Sequence, residues 1–100
     1  EIWWCSIGVN VGSEQLSQTA DFSRPVLVVK KFTREIFLGI PLTTKIKDLK
    51  FRYRLVVNEV ENDLLILQTR TFDHKRLIRK ITFLPKQEFE KVIKEIKDFL

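Results

Sequence analysis

One histidine, one cysteine and no methionine leave this 100-residue chain short of the groups most active sites use. A pair of histidines sharing acid and base roles is excluded outright. Any Ser–His–Asp or Cys–His arrangement would have to recruit His74, and no nucleophile elbow accompanies it. The lone Cys5 rules out an internal disulfide and a Cys-x-x-Cys metal site, and it fits a cytosolic setting. No carboxylate spacing suggests a metal site and no glycine-rich phosphate loop occurs, so no cofactor is expected. Three glycines and three prolines are too few for a disordered chain. No apolar run reaches the length of a membrane span, and no signal sequence is visible. Because residue 1 is glutamate and methionine is absent, the natural start is expected to lie upstream.

What is present is a globular composition, 44% apolar and 31% charged, suited to one domain over residues 1–100. Eighteen Lys and Arg against thirteen Asp and Glu leave a net charge of +5. That balance suits a polyanionic partner, either nucleic acid or an acidic protein segment. Lys45, Lys47, Lys50, Arg52 and Arg54 crowd one short segment against the single Asp48. A second cluster, His74-Lys75-Arg76 with Arg79-Lys80, follows later.

Residues 1–7, with Ile2-Trp3-Trp4, read as a strand, and residues 8–23 as a long loop. Residues 26–32 begin with four apolar, mostly β-branched positions and predict a strand covered on both faces. Residues 35–42 are its expected antiparallel neighbour, and 43–50 a basic loop. Residues 51–60 and 64–70 predict a hairpin whose turn is Glu61-Asn62-Asp63. A short helical turn is expected near Thr71 or Asp73, either of which could cap it, and a strand at 79–84. Pro85 precedes Phe89, Val92, Ile93 and Ile96 at helical spacing, so the chain is expected to close on an amphipathic helix. The class is mostly β with a C-terminal helix, a small barrel or strongly curved antiparallel sheet.

The residues left for chemistry are arginine, threonine, glutamine and lysine, which are groups that hold a phosphate. In RNA the nucleophile need not come from the protein, since the 2′-hydroxyl lies beside each phosphate. A protein then has to orient that hydroxyl and neutralise charge growing on the phosphoryl oxygens. Arg24 suits the second of these roles, because Pro25 biases its backbone toward an extended form at the mouth of the buried strand. Its forked guanidinium matches a phosphate, and a threonine hydroxyl could donate to the same group.

Four segments in order resemble the MazF/PemK ribonuclease toxins of bacterial toxin–antitoxin systems. They are "EIWW" followed by "VGSEQ", "RPVLVV" from Arg24, "PLTTKIK" from Pro41, and "LQTRTFDHKRL" from Leu67. The resemblance implies an SH3-like barrel of the CcdB/MazF type that pairs as a homodimer. It also implies metal-independent, sequence-specific cutting of single-stranded RNA, with messenger RNA the expected target, leaving 2′,3′-cyclic phosphate and 5′-hydroxyl ends. By the same resemblance Arg24 carries the catalytic arginine and Thr43 the catalytic threonine, with Thr44 one residue away as the alternative. Glu14, Gln15, Thr44, Lys45, Lys47 and Gln68 are placed along the RNA. Arg70 and Asp73 are expected to form a structural ion pair, and Trp3 and Trp4 to serve the core or an interface. The link "LSQTADFS" departs from the family by being longer and lacking glycine.

Two other readings stay open: a barrel that binds RNA or peptide without cutting, and a gyrase-directed toxin like CcdB. The latter would need a tryptophan-bearing tail, whereas this chain ends "IKDFL". The expected protein partner is an acidic antitoxin that folds along the basic groove.

Overall fold

The computed structural model describes residues 1–6 and 23–99. Seven strands and one helix follow in order: β1 (Ile2–Ser6), β2 (Ser23–Lys31), β3 (Ile36–Thr43), β4 (Arg52–Val57), β5 (Val60–Leu65), β6 (Arg70–Asp73), β7 (Leu77–Thr82) and α1 (Lys86–Phe99). Single 3-10 turns at Ile66–Gln68 and His74–Arg76 flank β6. All pairings are antiparallel, in the order β4-β5-β3-β2-β1-β7, with β6 paired to β3. The described residues are thus mostly β, as expected, with one strand more than the sequence reading of about six.

Strand β3 changes partner partway along. Its first half lies between β2 and β6, while its last residues, Leu42 and Thr43, pair with Leu64 and Asp63 of β5. This switch curls the sheet into a barrel. Leu27, Ile40, Leu42, Leu55, Leu64 and Val92 fill the inside, with Ile2 and Ile66 among the same cluster. The other face of β1, β2, β3 and β6 carries a second core of Cys5, Val26, Val28, Phe37 and Phe72. Strand β2 is therefore covered on both faces, because Leu27 enters one core and Val26 and Val28 the other.

Gly39 lies where β6 closes on that second face. A Cβ there would come within 2.7 Å of Val26 Cγ1 and 3.0 Å of Phe37 and Phe72, so only glycine admits the stacked Phe37–Phe72 pair, 5.4 Å between ring centres. Helix α1 packs Val92, Phe89 and Ile96 on the inner core. The Phe89 N–H donates to the Pro85 carbonyl at 2.9 Å, and the Tyr53 hydroxyl reaches Glu88 at 3.4 Å. Among the described residues no helix is long and apolar enough to cross a membrane.

The β4–β5 hairpin corrects the sequence reading. Its turn is Asn58-Glu59, closed by the Val57–Val60 pair, and not Glu61-Asn62-Asp63. Both turn residues have positive φ, 48° and 70°, as a two-residue loop matched to strand twist requires. Asn62 and Asp63 are buried strand residues instead. The segment 64–70 is likewise not one strand, since the 3-10 turn at Ile66–Gln68 ends β5 and redirects the chain into β6. The last strand starts at Leu77, not Arg79.

Glu59 occupies a conformation that costs a side-chain-bearing residue about 1 kcal/mol. Glu59→Gly is expected to raise the melting midpoint by roughly 2–6 °C, after allowing for the extra freedom of glycine in the unfolded chain. Circular-dichroism melts of the two proteins check this, and a lower midpoint would contradict it.

Candidate active site

Residues directly opposite one another on neighbouring strands share a face of the sheet. One such row crosses the molecule at the partner switch of β3. Cys5 of β1 is opposite Arg24 of β2. Thr43 of β3 is opposite Asp63 of β5, which is opposite Arg54 of β4. Between β2 and β3 the pairing runs from Lys31–Phe37 to Val26–Pro41. Carried two residues further, the same register sets Arg24 facing Thr43, with no ladder pairing between them. Pro25 and Pro41 at this end have no N–H to donate. Arg24 stays with β1 and Thr43 turns to β5, so the two strand ends bracket an opening in the β2–β3 ladder beyond its last pair, Val26–Pro41.

The cations of the row are not equivalent. Asp63, 1% exposed, accepts from Arg54 Nε at 2.8 Å, Lys47 N–H at 2.9 Å and Arg52 Nη1 at 3.0 Å. Arg54 also reaches Asp48 at 3.5 Å. Arg24 is exposed and forms no salt bridge among the described residues. It is therefore the row's cation open to an outside anion, whereas Arg52 and Arg54 are committed to protein carboxylates.

Thr43 is half-buried, and its Oγ1 accepts the Lys45 N–H at 3.1 Å, leaving its own proton free to donate. The Lys45 carbonyl accepts from Arg52 Nη1 at 2.9 Å. Asp63 thus fastens the basic loop at the Lys47 amide and, through Arg52, at the Lys45 carbonyl. Thr44, Lys45 and Lys47 are exposed on that loop. Gln68, on the first 3-10 turn, is exposed and shares a groove of about 440 Å³ with Pro41, Leu67, Thr69 and Arg70. Through Pro41 this groove adjoins the Arg24–Thr43 opening. Glu14 and Gln15 lie outside the described residues.

Four further residues are settled by their surroundings. Burial pushes the Cys5 thiol up to about 11, against a smaller opposite pull from Arg76, so it supplies no thiolate. His74 lies at the far end of β2 and β3, its N–H on the Glu35 carbonyl at 2.8 Å, away from the row. Among the described residues the expected Arg70–Asp73 ion pair is not formed. Positions three apart on a strand point to opposite faces. Arg70 lies 4.6 Å over the Phe72 ring, and Asp73 caps the next 3-10 turn by accepting the Lys75 N–H at 2.9 Å.

Asp63 is the residue that sequence reasoning missed. With the turn placed at Asn58-Glu59, the alternation Glu61, Asp63, Leu65 would have set it on the face of Thr43 and Arg54. Burial raises its pKa, but the Lys47 N–H and the Arg54 and Arg52 guanidinium groups outweigh burial and hold it below the ordinary value. A depressed carboxylate pKa adds stability that is present above its unfolded value, about 3.9, and lost as pH falls through the folded value.

Asp63→Asn is therefore expected to remove part of the acid-induced loss of stability. At neutral pH, losing about 1.5 kcal/mol of charged hydrogen bonding lowers the midpoint by roughly 6–12 °C. Melting curves across pH measure both effects, and parallel pH profiles for the two proteins would contradict the assignment.

The fold and the comparisons agree. The structure is similar to that of the Mycobacterium tuberculosis toxin MazF-mt6, with a TM-score of 0.72 over 97% of this chain and 92% of that one, at 16% sequence identity. At that identity the likeness establishes a common fold. No curated protein matches the chain. The family described as PemK-like, MazF-like toxin of type II toxin–antitoxin system matches residues 1–100, and on that full-length match the chain belongs to this toxin family.

Proposed function

We propose that the chain is a metal-independent endoribonuclease toxin that cuts single-stranded RNA, messenger RNA foremost, at a short sequence. The family is in general one of toxin endoribonucleases, which supports the class of activity. The observation that carries the reading to particular residues is the opening between Arg24 and Thr43. There the strands stop pairing, and across from the Thr43 hydroxyl, which has a proton to give, the β2–β3 register sets Arg24, whose guanidinium has no carboxylate partner among the described residues.

In this reading a phosphodiester lies in the opening. The 2′-oxygen attacks the phosphorus in line and the 5′-oxygen leaves, giving a 2′,3′-cyclic phosphate and a 5′-hydroxyl. The 2′-hydroxyl proton passes to water, and the departing 5′-oxygen takes one up. Arg24 donates its forked N–H groups to the non-bridging oxygens as their charge grows, and Thr43 adds a further donor. Thr43 is preferred over Thr44 because it belongs to the strand row that Arg24 faces. Lys45 and Lys47 attract the flanking phosphates, and Gln68 lines the adjoining groove.

As the toxin of a toxin–antitoxin pair, the protein implies an antitoxin partner. We place an acidic antitoxin segment over the same cleft, on a homodimer in the cytosol. A complex that still cut RNA at the full rate would exclude that placement, and a monomer by sedimentation would exclude the dimer.

Cleavage of a long unstructured RNA in EDTA tests the reading. The natural protein is expected to cut. Arg24→Ala should lose about 10²–10³-fold in rate, as removal of a charge-stabilising donor does elsewhere. Thr43→Val should lose more than Thr44→Val. Equal cutting by the natural protein and Arg24→Ala would place the chemistry elsewhere. Binding without cutting would favour the non-catalytic barrel.

A further inference from the structure

By composition Arg52 belongs with the cations of residues 45–54, yet its side chain is not turned outward to a polyanion. It opens β4 opposite Leu65, two pairs along from Arg54–Asp63. Arg52 and Arg54 therefore share the sheet face that carries Asp63 and Thr43. The Arg54 side chain is 38% exposed, whereas that of Arg52 is 18% exposed. Arg52 reaches along the strand, and its Nη1 donates both to Asp63 Oδ2 at 3.0 Å and to the Lys45 carbonyl at 2.9 Å. Arg54 holds the other carboxylate oxygen and reaches the Asp48 side chain. Of these two arginines, among the described residues, Arg52 is the one that grips the loop backbone.

Residue 45 is thus held from both sides. Arg52 fixes its carbonyl, and its N–H donates to Thr43 Oγ1 at 3.1 Å. Residues 44–51 belong to no strand or helix, so bonds of this kind set where the Lys45 peptide lies. A threonine side chain has three staggered positions about χ1, and its hydroxyl has one proton to give. An amide donated to Oγ1 selects one of those positions and turns the hydroxyl proton away from that amide. If residue 45 could drift, the selection would be lost.

We infer that Arg52 is a positioning residue for RNA cleavage, acting through the Lys45 peptide on the direction of the Thr43 hydroxyl and not by touching RNA. The inference rests on the ribonuclease reading above, and it divides the basic segment by task. The exposed Lys45 and Lys47 side chains raise affinity for the phosphate chain. Arg52 serves the step in which charge grows on the phosphoryl oxygens, where a donor must already be aimed. Misplacing such a group by about 1 Å can cost about 100-fold in rate.

The test is single-turnover cutting, in EDTA, of a short RNA with one mapped cut site. Wild type, Arg52→Met, Arg52→Lys, Thr43→Val and the double variant Arg52→Met/Thr43→Val are compared, with melting curves confirming that each is folded. Arg52→Met is expected to lower the rate at saturating protein by about 10–100-fold. The protein concentration giving half that rate, and its salt dependence, should stay at wild-type values. In the Thr43→Val background the same substitution should cost no further rate, because the two residues act as one unit. Arg52→Lys, whose ammonium can donate to both acceptors, should recover part of the rate. Multiplied losses in the double variant, a raised half-saturation with a shallower salt dependence, or an unchanged rate in Arg52→Met would each overturn the inference while leaving the ribonuclease reading in place. A check that needs no variant is the set of three-bond couplings of the Thr43 methyl group. They are expected to report one χ1 rotamer in the natural protein, and averaging over rotamers there would overturn the inference as well. If wild type cuts no RNA at all, the ribonuclease reading falls and takes this role of Arg52 with it.

Discussion

A single buried carboxylate organises the working end of this barrel. Asp63 sits on β5 opposite Thr43 and accepts from one backbone amide and two guanidinium groups. Removing a carboxylate from water is costly unless charge and hydrogen bonds replace its hydration, and here they do. The consequence reaches beyond Asp63 itself. The loop between β3 and β4 carries lysines that repel one another, yet it is pinned at the Lys47 amide and at the Lys45 carbonyl through Arg52. Thr43 is the last residue before that loop, so its hydroxyl is set by the same anchor.

The anchor also sorts the positive charge. Counting lysines and arginines makes residues 45–54 the most basic segment, but Arg52 and Arg54 spend their charge on Asp63. Arg24 stands at the opposite side of the opening with no such partner among the described residues. A polyanion approaching this face therefore meets the exposed lysines of the loop and the exposed Arg24 guanidinium at the strand mouth.

Much of the frame was legible in the sequence because its signals are local. The apolar run after Pro25 told of a strand buried on both faces, and Val26 and Leu27 do enter different cores. Pro85 and the spacing of Phe89, Val92 and Ile96 told of the closing helix. The hairpin failed for a specific reason. Glu61-Asn62-Asp63 has turn-like composition, but the twist of paired strands favours two left-handed residues, and Asn58-Glu59 supply them at some cost. Moving that turn carries Asp63 from solvent to the interior, and no local signal announces a carboxylate whose partners lie on another strand and in a loop. The Arg70–Asp73 expectation failed similarly, since a pair close in sequence can face opposite ways on a strand. Arg24 was legible from its place before Pro25 and Thr43 from motif resemblance; the parting of their strands is a product of the switch in β3 pairing, which only the assembled sheet reveals.

That Asp63 fixes the basic loop, and with it Thr43, is tested most directly by amide hydrogen exchange at Lys47 and Lys45. Both are expected to exchange slowly, like strand amides, in the natural protein. In Asp63→Asn both should become fast while the amides of β2 stay protected. Exchange of Lys47 and Lys45 at the rate of an unstructured peptide in the natural protein would contradict the anchoring role of Asp63.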